Sequence, residues 1–452
     1  MRLTRNGLGG SNPLVSAQQS ISTSGVSVRA YRIAIVGAGP AGYFAAQALQ
    51  NRQSAEVSFA IDMFEKLPTP WGLVRSGVAP DHPKIKSVSK VFEKIASDEG
   101  FRLLANVNVG VDISLDELKS LYDAVVVAIG APKGKTLGIP GEGLKNVISS
   151  ANFVYWYNGH PEYIDLEVDL SGSQAIVIGA GNVAMDVGRM LAIDPQELVT
   201  TDTAEHALQA FHDSKIRDVY ITARRGAESA AFTAPELREL PDIESVDVNI
   251  DEKDIDGAIS RVGNEPEKHV KSNLEAMHSI AMAPTKNRSR RLHFLFQHRP
   301  LSINGDSEVE SVTFETPQGI VDVPCNLVVT AIGYLPSEFP GLLRRDSQYE
   351  NQNGWVADNL YVVGWAKRGP QGVIGTNKSD AAAVMETMVS KLKEAKPRID
   401  VLPILQEREI QVVSQRDWTL INDEEVRRGV EQGKPRVKFT SVAEMLDLLA
   451  LH

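Results

Sequence analysis

Twice in this chain a short run of aliphatic residues feeds straight into a glycine-rich turn and then into a helix. The first copy is Ile33-Ala34-Ile35-Val36 leading into Gly37-Ala38-Gly39-Pro40-Ala41-Gly42, with a helix expected over Ala41 to Leu49 and a second strand over Val57 to Phe64. The second is Ala175-Ile176-Val177-Ile178 leading into Gly179-Ala180-Gly181, a helix from about Asn182 to Ala192 and a strand at Val219 to Ala223. A strand, helix and strand of this length require a right-handed crossover and a parallel sheet. The chain therefore reads as α/β with two doubly wound, Rossmann-like units. Ala124 to Gly130 and Leu327 to Gly333 share a pattern of apolar strand, small residue and glycine, and they flank the second unit. We expect the second unit to be inserted into the first: residues 31–130 and 335–452 form one domain and residues 131–334 the other.

Outside those units the sequence is less informative. Residues 1–30 hold Arg2, Arg5 and Arg29 with no Asp or Glu, which suits either a targeting presequence or a disordered extension and belongs to neither domain. A late helix is expected at Ser379 to Lys393, and Pro397 to His452 is charged and short of motifs.

Chemistry enters through the turns. In the first, Gly37 permits the tight bend, Gly39 lets a pyrophosphate approach the backbone, and Gly42 lets the helix pack on the sheet. The helix N-terminus then binds the phosphates. Glu65, at the end of the next strand, can accept hydrogen bonds from a ribose diol. In the second turn Gly179 and Gly181 recur, Ala184 takes the third glycine position, and Arg224-Arg225 stand where an acid would serve NAD. Two guanidinium groups suit a 2'-phosphate, so NADPH is expected rather than NADH.

Two dinucleotide sites, one reading NADPH, imply that the other holds a flavin able to take the hydride. Cys325 is the only cysteine, so no internal dithiol relay, disulfide redox pair or cysteine-ligated cluster can form. That excludes a flavin disulfide reductase and a cluster-bearing glutamate synthase subunit. Electrons must leave for oxygen, as in a flavin monooxygenase, or for a separate redox protein; a non-catalytic nucleotide-binding protein is the remaining alternative. Lys+Arg 47 against Asp+Glu 58 gives a net charge of -11, which disfavours nucleic acid as a partner. No stretch approaches the ~18 apolar residues of a membrane span.

Longer motifs sharpen this reading. Phe64-Glu65-Lys66, Trp71-Gly72-Leu73-Val74-Arg75, Gly77-Val78-Ala79-Pro80-Asp81-His82-Pro83 and Phe232-Thr233 with Glu236-Leu237-Arg238 occur in that order. They are followed by Gly364-Trp365, Lys367 to Pro370, Gly372-Val373-Ile374-Gly375, Asp417-Trp418 and Gly433 to Lys438. The set resembles the adrenodoxin reductase type of ferredoxin-NADP reductase over nearly the whole folded chain. The resemblance implies FAD contacts at Ala41, Glu65, Leu73, Val109, Trp365, Gly372, Val373 and Ile374. It implies NADPH contacts at Gly181, Asn182, Val183, Arg224, Arg225, Glu236 and Gly372, with His82 and Glu236 as the titratable pair beside the reacting rings.

The resemblance further implies single-electron transfer to an acidic ferredoxin- or adrenodoxin-type iron-sulfur protein. That partner needs a basic face, for which Lys84, Lys86, Lys90, Arg238 and the Arg288, Arg290, Arg291 cluster are candidates. A monomer is expected. Gly188 departs from the family's more frequent alanine, and Gly375-Thr376-Asn377-Lys378 is closer to bacterial members. The expected compartment is accordingly the bacterial cytoplasm, or the mitochondrial matrix if residues 1–30 are a presequence.

Overall fold

The computed structural model describes residues 29–263, 265–397 and 399–452. The expectation about a presequence falls on residues 1–28, outside the described residues. Two six-stranded sheets organise the chain. Their framework starts with β1 (Arg29–Val36), α1 (Pro40–Gln50), β2 (Val57–Phe64), β3 (Phe101–Leu104), β4 (Ala124–Val127), β5 (Val147–Ser149) and β6 (Gln174–Ile178). It continues with α2 (Asn182–Ala192), β7 (Asp218–Thr222), α3 (Ala234–Glu239), β8 (Val246–Ile250), β9 (Arg290–Leu295) and β10 (Leu327–Thr330). The last elements are β11 (Trp355–Ala357), β12 (Leu360–Val362), α4 (Thr376–Lys391) and α5 (Gln415–Glu431).

The first sheet has the order β11-β12-β4-β1-β2-β3, parallel except for the β11–β12 hairpin. The second has the order β5-β10-β6-β7-β9-β8 and is parallel throughout. In each, chain progress reverses beside the strand that carries the glycine turn: between β1 and β4, and between β6 and β10. That reversal opens a crevice at the carboxyl ends of the strands, where open α/β sheets bind ligands.

Burial on both faces explains the unbroken aliphatic runs. Ile33 and Ile35 face a core with Tyr43, Phe92 and Trp418, whereas Ala34 and Val36 face one with Leu118, Val125 and Val362. In the second sheet Ala175 and Val177 pack under α2 with Met185 and Met190, and Ile176 and Ile178 meet Ile303, Val312 and Phe314. The latter three belong to a three-stranded antiparallel sheet, Arg299–Asn304, Ser311–Thr316 and Gly319–Pro324, which takes the place of helices on that face. Each large aliphatic side chain so buried contributes about 1.5–3 kcal/mol.

Where the chain leaves the first sheet and returns to it, Lys133–Gly134 pairs antiparallel with Tyr334–Leu335. The late helix starts at Thr376, three residues ahead of the expected Ser379. The charged tail folds as well, into Leu402–Glu407, α5 and Val442–Ala450, with α5 seating Trp418 and Ile421 in the core of the first sheet.

Candidate active site

At the first turn Gly37 has φ +109°, and a Cβ there would stand 2.7 Å from the Ala128 carbonyl oxygen. A Cβ on Gly42 would stand 2.1 Å from the Gly37 oxygen, so α1 can approach the turn only with glycine at that position. Gly39 is different: a Cβ there would meet only the Gly72 Cα, at 3.9 Å, whereas a Cβ on Gly72 would stand 2.9 Å from the Gly39 Cα, so the two glycines abut. The first turn of α1 has no side-chain cap, which leaves its amides able to bind phosphate. Glu65 is held beside it, with Oε2 accepting from Ala38 N at 2.9 Å and Oε1 from Leu67 N at 3.2 Å. Burial raises its pKa despite those bonds.

Leu73 begins the short helix Leu73–Ser76 after Trp71, a non-glycine residue with φ 85° pinned edge-on against Trp418 at 5.0 Å. Val109 is buried in the core beneath, 7% exposed, which leaves it little surface to offer a ligand. Gly364, φ +67°, would place a Cβ 2.5 Å from the Ala41 Cβ, so glycine there lets the Trp365 segment close over the first turn. Trp365 stacks on Tyr334 at 5.9 Å and 21°. Gly372 has φ +80°, Val373 is 63% exposed, and Ile374 packs on the first core.

The second turn repeats the device. Gly179 has φ +149°, with a would-be Cβ 2.2 Å from Ala331 O, and Gly181 precedes an uncapped α2. Asn182 is oriented by Thr233 N, which donates to its Oδ1 at 2.9 Å, and Val183 is half-buried. Gly188 packs where a Cβ would lie 2.7 Å from Ile221 Cδ1. Arg224 and Arg225 stand exposed just past β7. Among the described residues neither has an acidic partner; Arg225 makes one long contact, Nη2 to Ser229 O at 3.5 Å.

Between the turns lies a charged cleft. His82 Nε2 stands 3.8 Å from Glu236 Oε2, 3.8 Å from Asp186 Oδ1 and 3.9 Å from Asp81 Oδ1. Arg189 Nε donates to Asp81 Oδ2 at 2.5 Å, and its Nη2 donates to Asp81 Oδ1 at 3.1 Å and to Asp186 Oδ1 at 2.8 Å. Asp81 and His82 belong to the first-sheet unit and the other three to the second. Burial raises Glu236, helped by the Asp186 charge, and raises Asp186; Arg189 holds Asp81 below the usual carboxylate range. Glu236 Oε2 and the Tyr157 hydroxyl are buried with no hydrogen-bond partner among the described residues, so the cleft presents unspent polar atoms. Asp186 and Arg189 escaped the sequence reading, although two charges three apart on the apolar face of a dinucleotide helix are a usable signal.

The proposed docking cations divide. Lys86 is not free: its Nζ donates to Asp202 at 2.6 and 2.8 Å. Arg291 is paired with Asp218 at 2.5 and 2.7 Å. Arg288, Arg290 and Arg291 sit at the amino end of β9, roughly 20 Å along the strand from the nucleotide end. Spacing alone hides such partners and the strand direction, so Lys86 and Arg291 are engaged within the fold where the sequence shows only basic residues. Lys84, Lys90 and Arg238 remain exposed. Lys84 lies two residues from His82, and Arg238 shares α3 with Glu236. No helix among the described residues is long and apolar enough to cross a membrane. Cys325 is buried at 1% exposure and its thiol is pushed up to about 12, so it carries no thiolate chemistry near neutrality.

The family model for pyridine nucleotide-disulphide oxidoreductases matches residues 31–276. NADPH-ferredoxin reductase FprA of Mycobacterium tuberculosis H37Rv is 41% identical over 456 residues, covering 93% of this chain and 99% of the relative. The mitochondrial NADPH:adrenodoxin oxidoreductase of Arabidopsis thaliana is 35% identical over 468 residues, covering 94% and 96%. The solved structure of M. tuberculosis FprA in complex with NADPH superposes with a TM-score of 0.89 at 42% identity, covering 93% of this chain and 99% of that one. With both glycine turns, the intervening cleft and full-length similarity in hand, the chain belongs to the pyridine nucleotide-disulphide oxidoreductase family, in the group of NADPH-ferredoxin and adrenodoxin reductases.

Proposed function

We propose that this chain is an FAD-containing reductase that takes a hydride from NADPH and delivers single electrons to a ferredoxin- or adrenodoxin-type iron-sulfur protein. The observation that carries the reading is the pair of uncapped glycine turns at the carboxyl ends of β1 and β6, together with His82 of one unit brought to 3.8 Å from Glu236 of the other. A flavin bound there supplies the conversion between a two-electron donor and one-electron acceptors. Residues 31–130 with 335–452 are read as the FAD unit and residues 131–334 as the NADP unit, which the ribbon of Lys133–Gly134 on Tyr334–Leu335 supports.

The residues present fit both groups. Gly37, Gly39, Ala41 and Gly42 accommodate a pyrophosphate, Glu65 a ribose diol, and Leu73, Trp365, Gly372, Val373 and Ile374 the flavin, whereas Val109 is buried in the core and offers it little surface. Gly179, Gly181, Asn182 and Val183 receive the second pyrophosphate, Arg224 and Arg225 the 2'-phosphate. His82 and Glu236 orient the nicotinamide, and the raised pKa of Glu236 suits it to hold a proton there. Exclusion of water and alignment of the rings provide most of the rate, since hydride transfer needs proximity above all.

Lys84, Lys90 and Arg238 offer the basic face for an acidic partner. Action as a monomer is part of this reading. Greater similarity to bacterial FprA than to the mitochondrial relative supports a cytoplasmic location.

The test is anaerobic titration of the purified protein with NADPH or NADH, followed by ferredoxin-dependent cytochrome c reduction. A yellow protein bleached selectively by NADPH is expected. A protein colourless even after reconstitution with FAD would overturn the reading.

A further inference from the structure

A second group of charges lies buried between the two units, apart from the cleft. Asp202, on the second-sheet side and 6% exposed, receives two ammonium groups. Lys86 Nζ reaches its Oδ1 at 2.6 Å and Oδ2 at 2.8 Å, and Lys438 Nζ stands 3.1 Å from Oδ2 while donating to Asn158 O and Oδ1, each at 3.1 Å. Both lysines come from the first-sheet side. Lys86 ends the short helix Pro83–Lys86. Lys438 lies in a segment folded back on α5 so tightly that a Cβ on Gly429 would meet Arg436 Cα at 2.5 Å. Burial holds the Lys438 ammonium down to about 7, so the cluster is costly to bury and its stability gain is small.

The loop from Asp81 to Lys86 supplies a reason for it. His82 sits inside this loop, and both flanks are held by the second-sheet unit: Asp81 by Arg189 at 2.5 and 3.1 Å, and Lys86 by Asp202. The helix Pro83–Lys86 buries none of its own side chains, and Ile85 is 40% exposed. Apolar packing therefore does not fix the loop, and the ion pairs do.

We propose that Lys86 and Asp202 are positioning residues: their ion pair fixes the Asp81–Lys86 loop and so sets the His82 ring against Glu236 and Asp186. The inference rests on reading that cleft as the site of hydride transfer. Lys86→Met cuts the tether yet leaves Asp202 paired with Lys438, so the fold is retained. Lys438→Met leaves the Lys86 tether in place.

Backbone amide exchange over residues 81–88, measured without nucleotide, should rise at least about tenfold in Lys86→Met and little in Lys438→Met. Stopped-flow flavin reduction at saturating NADPH should slow roughly tenfold to a hundredfold in Lys86→Met, with half-saturation nearly unchanged and recovery in Lys86→Arg. In a His82→Gln background the same substitution should add no further loss. Unchanged exchange over 81–88, or an equal loss of rate in the His82→Gln background, would overturn the proposal. Loosened exchange in a protein that NADPH does not reduce would sink the functional reading, and the positioning role with it, while leaving the tether demonstrated.

Discussion

Replacing Arg224 and Arg225 by alanine, singly and together, tests cofactor choice at its source. Both side chains are exposed, and among the described residues neither is committed to a carboxylate. Binding a 2'-phosphate therefore displaces no existing ion pair. A hydrogen bond to a charged group contributes about 1.5–3 kcal/mol, so each single variant should weaken NADPH binding roughly 10- to 150-fold. The double variant should lose more, though less than the product, because both groups meet one phosphate. NADH lacks that phosphate, so its affinity should move by no more than about twofold. The assay is a binding titration with each nucleotide on the oxidised protein, paired with steady-state KM values. Because the site is open to solvent, the wild-type preference should also shrink from low salt to ~0.15 M, where the Debye length is about 8 Å. An NADPH to NADH ratio unchanged in the double variant would refute the assignment of these two residues.

Burial and contact define three further perturbations. Gly42→Ala puts a Cβ against the Gly37 oxygen, where 2.1 Å is available, and should yield protein stripped of flavin, read as a lost visible absorption band. His160 is held neutral by burial, its pKa lowered to about 4, so the unfolded chain takes up a proton first. Stability should be complete above the unfolded pKa of about 6.5 and fall by about 3 kcal/mol as pH drops to about 4. A His160→Gln variant should flatten that acid limb in thermal melts, and an unaltered limb would contradict the burial argument. Cys325 should stay inert to a thiol reagent at pH ~8 until the protein is denatured, and prompt stoichiometric labelling of native protein would count against its burial.

The parts visible in the sequence are those whose physics is local. Gly37, Gly42 and Gly179 are needed because a neighbouring backbone oxygen occupies the space of their side chains, and that need shows as spacing within one short segment. The position of Arg224 and Arg225 was legible because a parallel strand fixes where the residues just past its carboxyl end must lie. The invisible parts are pairs that only the assembled fold brings together: Asp81 with Arg189, 108 residues apart, Lys86 with Asp202, 116 apart, and Arg75 with Glu425, 350 apart. Glu425 is the clearest case. In Asp423-Glu424-Glu425-Val426-Arg427-Arg428 it reads as one more solvated charge, yet it has no exposed surface and accepts from Arg75, Arg436 and the Phe439 amide.

That burial ties the motif-poor tail to the cleft. Arg75 belongs to the helix that begins at Leu73, two residues after the strained Trp71, and Arg436 also lies 5.4 Å from the Trp71 ring. Removing one member of a buried pair strands the other and costs about 3–5 kcal/mol. Glu425→Ala should therefore lower the melting temperature and also loosen flavin, since the Arg75 that it releases stands in the short helix that follows Gly72, the residue packed against Gly39 of the first turn. A variant with a lowered melting temperature but wild-type flavin retention would separate the tail from the cleft. The two effects are expected together because one carboxylate holds both the tail's return onto α5 and the loop that begins at Gly72.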